Sequence, residues 1–224
     1  MPGPRPEPAA PATASRRLKI AGVAAFAILA AVILGSAIFG TVKRPEPAPP
    51  PKEARSAVER FGIDRAKDPR LPAPPIELRG LDGKRVSLAD ARGQVVFVNF
   101  WATWCPPCRD EMPSMVALGQ QLARQFPGQF RMIAVSVDDD LAEVRSYFAA
   151  PPFAGPPGGL TIAHDADKSV TKAYFSQARG FAPDLLFPET YIVDKAGRLV
   201  AYIVGPRDWS DPVPRAFLEA LIRS

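Results

Sequence analysis

An apolar, strand-forming run, Val95-Val96-Phe97-Val98, is interrupted only by Asn99 before it reaches Phe100-Trp101-Ala102-Thr103-Trp104-Cys105-Pro106-Pro107-Cys108, and helix formers follow at once. This order sets two sulfurs at a strand-to-helix junction, separated by about one helical turn. Cys105 and Cys108 are the only cysteines in 224 residues, so they either exchange electrons as a pair or bind something as a pair. With the single His164 they cannot complete a tetrahedral Cys/His zinc site within one chain. The acidic run Asp138-Asp139-Asp140 is expected to be a solvated strand end and helix cap rather than a metal site.

The 27 prolines are unevenly spread, and many lie in Pro2 to Pro11 and Pro45 to Pro51, stretches too polar and too Pro-rich to bury a core. Between them Ile20 to Val42 carries no charge, and at about 1.5 Å per residue it reaches about 34 Å, enough to cross a hydrocarbon layer. A cleaved export signal would have a shorter apolar core, so an uncleaved anchor is expected. The expected organisation is a cytoplasmic Pro-rich tail (1–17), one transmembrane helix (18–42), a Pro-rich linker or stalk (43–70) and a folded domain (71–224) outside the cytoplasm, where disulfide chemistry occurs. The net charge of +5 comes from dispersed basic residues with no basic run, which argues against a nucleic-acid partner.

Within the domain, Ile76 to Leu88 reads as a hairpin turning at Asp82-Gly83. Strand and helix patterns then alternate: Val95–Phe100, helix 108–125 with Pro113 inside it, Met132–Val137, helix 141–148, and Leu160–Ala163. A short helix from Asp167 to Tyr174 precedes an irregular stretch, Phe175 to Phe187. A second hairpin, Thr190 to Val204, and a final helix capped by Ser210 or Asp211 close the chain. Lys52 to Phe61 is expected to be a short amphipathic helix in the stalk. Together these imply an α/β fold, a mixed central sheet with helices on both faces.

Asn99 to Pro113, Phe187-Pro188-Glu189-Thr190-Tyr191-Ile192-Val193-Asp194 and the Gly83 to Gly93 lead-in resemble the membrane-anchored thioredoxin-like proteins of the TlpA, ResA and CcmG (DsbE) group. The resemblance implies a thioredoxin fold with an N-terminal β-hairpin extension, and a protein-disulfide reductase that cycles a Cys105–Cys108 disulfide without a cofactor. It also implies a client-protein disulfide as substrate, with apocytochrome c leading and a copper-site assembly protein as the alternative. With no third cysteine, the oxidised protein must be re-reduced by another protein, and the resemblance implies a membrane electron carrier of the CcdA or DsbD kind. Copper handling of the Sco type is a further alternative, although Sco proteins use a wider gap between the cysteines.

Cys105, at the helix start, faces unpaired backbone donors that favour thiolate, which makes it the expected nucleophile, with Cys108 resolving the mixed disulfide. Pro106 and Pro107 offer the sulfur no N–H, which favours a reductant over a strong oxidant. Glu111 occupies the position of the ResA-like proton-carrying carboxyl, while Asn99 stands where thioredoxin has an acid; a solvated helix carboxylate is the plain alternative for Glu111. Pro188 matches the cis-proline beside the disulfide, with Phe187 and Trp104 as contact surface and Trp101 as packing.

Overall fold

Val95–Trp101 forms a strand in which every side chain is buried. The structure, a computed structural model, describes residues 3, 52–180 and 185–224. The expected tail apart from Gly3, the span 18–42 and the first part of the linker lie outside the described residues. Among the described residues no helix is long and apolar enough to cross a membrane. In chain order the elements are α1 (Lys52–Phe61), β1 (Asp64–Arg65), β2 (Glu77–Gly80), β3 (Arg85–Ser87), a 3₁₀ turn (Ala89–Ala91), β4 (Val95–Trp101), α2 (Pro106–Gln125), β5 (Phe130–Ser136), α3 (Leu141–Ala149), β6 (Leu160–His164), α4 (Ser169–Arg179), β7 (Glu189–Val193), β8 (Leu199–Val204) and α5 (Pro212–Arg223).

The strands form a single sheet in the order β1-β8-β7-β4-β5-β6-β2-β3. β4 runs parallel to β5 and antiparallel to β7, and β5 runs parallel to β6. Alternate residues of a strand face opposite sides of its sheet. Accordingly, Val95, Phe97 and Trp101 join one apolar cluster with Met112 and Met115 of α2, Phe148 of α3 and Leu218 of α5. Val96, Val98 and Phe100 join a second with Ile76, Val86 and the α4 residues Tyr174, Phe175 and Ala178. This demand from both faces is why β4 reads as a continuous apolar run rather than an alternating one. Asn99 lies between Phe97 and Trp101, on the α2 face.

Three expectations are corrected. The folded part begins before Leu71: α1 packs against α5, Asp64 and Arg65 pair with Tyr202 and Ala201 of β8, and Ile63 and Ala66 are buried. Their signal is weak because β1 is two residues long and follows a Pro-rich spacer. The stretch after Tyr174 is less irregular than expected, since α4 continues to Arg179 and Phe175 and Ala178 anchor it in the second cluster. Asp138 is buried rather than solvated, whereas Asp140 does cap α3 by accepting from the Ala142 N–H. Among the described residues no group of acidic, Cys or His side chains is arranged to hold a metal ion.

Because Ile63, Ala66, Val58 and Phe61 all pack into the clusters, a chain starting at Leu71 is expected to be less stable than one starting at Lys52 by about 3 kcal/mol. Urea unfolding of the two forms measures this. Coincident midpoints would return the segment to the role of a linker.

Candidate redox site and its buried carboxyl

Where β4 ends, the chain is fastened before it reaches the cysteines. The Thr103 N–H donates to both carboxylate oxygens of Asp138 (3.0 and 3.1 Å), and the Thr103 hydroxyl donates to one of them at 2.6 Å. Asp138 also accepts from the Ser136 hydroxyl at 2.7 Å, so its buried charge is met by donors on two elements. The Cys105 N–H then reaches Ala102 O at 3.3 Å and Cys105 becomes the N-cap of α2, with Pro106 and Pro107 opening the helix. Its sulfur accepts from the Cys108 N–H at 3.3 Å. The two sulfurs are joined, at 2.07 Å. Cys105 is 5% exposed and Cys108 fully buried, so an incoming sulfur meets Cys105.

The rim around the pair is apolar. Trp104 is 58% exposed and meets Phe187 edge-on at 5.9 Å between ring centroids. The Phe187–Pro188 peptide bond is cis, and the Trp104–Phe187 contact brings that segment to the cysteine loop. Trp101, by contrast, is fully buried against Tyr147 and Phe148, a packing residue as expected.

Glu111, one turn beyond Cys108 on α2, is buried at 4% exposure and is not a solvated helix carboxylate. Its Oε1 accepts from the Asn99 side-chain amide at 2.9 Å, and its Oε2 accepts from the Arg207 N–H at 3.0 Å and the Trp209 indole N–H at 3.1 Å. Loss of water pushes its pKa up to about 7; the donors from Arg207, Trp209 and Asn99 pull the other way and only partly offset that cost. Asn99 therefore faces an acid instead of replacing one, and it also donates to Thr190 Oγ1 on the neighbouring strand at 3.0 Å.

A second buried carboxyl lies next to the cis-proline in the sequence. Glu189, immediately after Pro188, is fully buried; its carboxylate accepts from the Tyr191 hydroxyl and lies 2.9 Å from the Arg179 guanidinium. Burial raises its pKa to about 6, against the pull of Tyr191 and Arg179. Its signal in the sequence was an acidic residue opening an otherwise apolar strand. In register Asn99 pairs with Thr190 and Phe100 with Glu189, so the two carboxyls lie on opposite faces of the sheet.

Residues 68–218 match the Redoxin family model. The chain belongs to the Redoxin family. Over 136 residues it is 32% identical to the thioredoxin-like protein YneN of Bacillus subtilis, an alignment covering 59% of this chain and 69% of that protein. Over 135 residues it is 36% identical to the thiol-disulfide oxidoreductase ResA of Geobacillus thermodenitrificans, covering 59% and 67%. Among solved structures, a thioredoxin-family thiol:disulfide interchange protein from Chlorobium tepidum aligns with a TM-score of 0.55 and 27% identity, over 70% of this chain and 99% of that one. This redoxin domain is thus a thioredoxin-like thiol-disulfide oxidoreductase of the TlpA, ResA and CcmG group, built around a close cysteine pair. Both α1 and β1 precede the matched residues.

With an ordinary pKa of 4.5 and a folded value of about 7, Glu111 holds its proton more tightly in the fold than in the unfolded chain. Its contribution to stability is therefore fully present below the ordinary value and is lost as the pH rises through about 7, a change of roughly 3 kcal/mol. Glu189 titrates in the same range, so the difference between parent and Glu111→Gln isolates the first carboxyl. Glu111→Gln is expected to flatten the fall in urea midpoint between about pH 4 and about pH 8; an unaltered slope would contradict a carboxyl whose pKa burial has raised.

Proposed function

We propose that the redoxin domain is tethered by Ile20 to Val42 on the extracytoplasmic side of the membrane and acts mainly as a reductant of disulfides in client proteins, in cytochrome c maturation. The observation that carries the direction is the sparse solvation of Cys105. Its sulfur accepts one backbone N–H, from Cys108, while the two residues between are prolines without a donor. A thiolate held by few donors gains little from remaining reduced, and so gives its electrons up readily. The tether is supported by the length and apolarity of Ile20 to Val42, and the client class by the likeness to ResA.

In the reduced protein the Cys105 thiolate attacks one sulfur of the client disulfide, forming a mixed disulfide and releasing the other client sulfur as a thiolate. Cys108 then loses its proton, and Glu111, three residues on along the same helix, is the group that takes it. The Cys108 thiolate attacks Cys105 Sγ, the client's second sulfur leaves, and the Cys105–Cys108 disulfide forms. Two electrons have moved to the client. A membrane dithiol donor of the CcdA or DsbD kind restores the pair by the same exchange in reverse. Trp104, Pro106, Pro107, Phe187 and Pro188 form the surface on which client and donor chains lie.

The two-electron midpoint of the protein is expected to be more negative than about −200 mV, and a value near about −120 mV would overturn the reductant assignment. Cys105→Ala is expected to abolish exchange, and Cys108→Ala to accumulate a mixed disulfide through Cys105. Mass spectrometry of the trapped partner tests the pathway: an apoprotein with a Cys-x-x-Cys-His haem site supports it, whereas a copper-site assembly protein would move the function there.

A further inference from the structure

The carboxyl of Glu111 is closed off by a part of the chain that precedes the residues matching the Redoxin family. Two of its three donors, the Arg207 N–H and the Trp209 indole, come from the segment between β8 and α5, and that segment leans on α1. The Phe61 carbonyl, at the end of α1, accepts from Arg207 Nε at 2.7 Å, and the Arg207 guanidinium lies 6.0 Å from the centre of the Phe61 ring. The same ring meets Trp209 edge-on at 5.9 Å, with Phe97 of β4 on the indole at 4.8 Å. Gly62, at φ +84°, turns the chain away beneath this contact, and a Cβ there would run into the Arg207 guanidinium. Phe61 thus touches two of the three residues that deliver an N–H to Glu111.

We propose that α1, through Phe61, is a wall of the Glu111 site: Phe61 is a positioning residue that holds Arg207 and Trp209 on the carboxyl and keeps water from it. The inference rests on the proton-carrying role proposed for Glu111. Through this wall the segment joining the tether to the domain sets the environment in which Cys108 gives up its proton.

The charged groups near the carboxyl decide the sign of each test. Arg207 is the cation that acts on it. Arg109 and Asp110 on α2, Asp208 beside Arg207, and Glu59 and Arg60 on α1 are all solvent-exposed, so water screens them. Opening the wall therefore acts mainly by admitting water, which favours the charged carboxylate. Removing Arg207 takes away the cation that acts on the carboxyl among the described residues, which favours the neutral acid.

The test is a carbon-13 titration of glutamate side-chain carboxyls in the full chain in detergent, with Glu111→Gln assigning the resonance. Phe61→Ala is expected to lower the Glu111 midpoint by about one pH unit, and Phe61→Leu, which keeps apolar cover but loses the ring edge, by less. Arg207→Met is expected to raise it. Opposite shifts separate loss of the wall from general loosening of the domain, which would lower the midpoint in every variant. Should Phe61→Ala fail to fold, Phe61→Leu decides. A Glu111 midpoint unmoved by either Phe61 variant would overturn the proposal. A lowered midpoint with an unaltered pH profile of disulfide exchange would uphold the wall and remove the proton-carrying role from Glu111.

Discussion

Seven consecutive buried side chains in β4 require cover on both faces of the sheet, and the functional site depends on that requirement. The face toward α2 fixes which side of the helix turns inward, and with it Cys108, Glu111, Met112 and Met115. The other face is filled by α4, whose last turn carries Arg179 to Glu189. At the end of the strand the chain must leave the sheet, and Asp138 stops it there by gathering Thr103 and Ser136. The cysteine loop is consequently a fixed departure from a rigid strand, with its sulfurs at the mouth of the fold.

The parts of this arrangement legible in the sequence are the local ones. A strand that stops at a Cys-Pro-Pro-Cys and runs on as helix places Cys105 and Cys108 without knowledge of the rest of the chain, and the X-Pro entry to β7 is equally local. The environment of Glu111 is not local: Arg207 lies 96 residues away and Trp209 lies 98 away. No periodicity links an indole before the last helix to a carboxyl one turn after the second cysteine. Asn99 illustrates the same gap. Its place in the sequence shows that a thioredoxin-like acid is missing, but only strand alternation and helix packing together show that it faces Glu111. In the segment 52–70 the helix Lys52–Phe61 is legible but its docking is not, since alternating charges on a short helix look alike whether the apolar side meets water or α5.

Two buried carboxyls, Glu111 and Glu189, lie on opposite faces of one sheet, and they are held differently. Glu111 is met by three neutral N–H donors with Arg207 close by, whereas Glu189 is met by a tyrosine hydroxyl and a guanidinium. Burial raises the pKa of both, and water reaching either would return it toward the ordinary carboxylate value. Their setting depends on chain segments remote from the cysteines, so the acid–base character of the site belongs to the whole sheet.

Cys105 reaches the surface while Cys108 does not, and the chain has no other thiol. Electrons therefore enter and leave through one sulfur atom. Whatever loads the pair and whatever unloads it must occupy the same mouth, framed by Trp104 and Phe187, and cannot occupy it together. Loading and unloading are forced to alternate, and a supplier that lingered after its work would block the recipient as surely as an inhibitor. The geometry thus favours brief encounters on both sides.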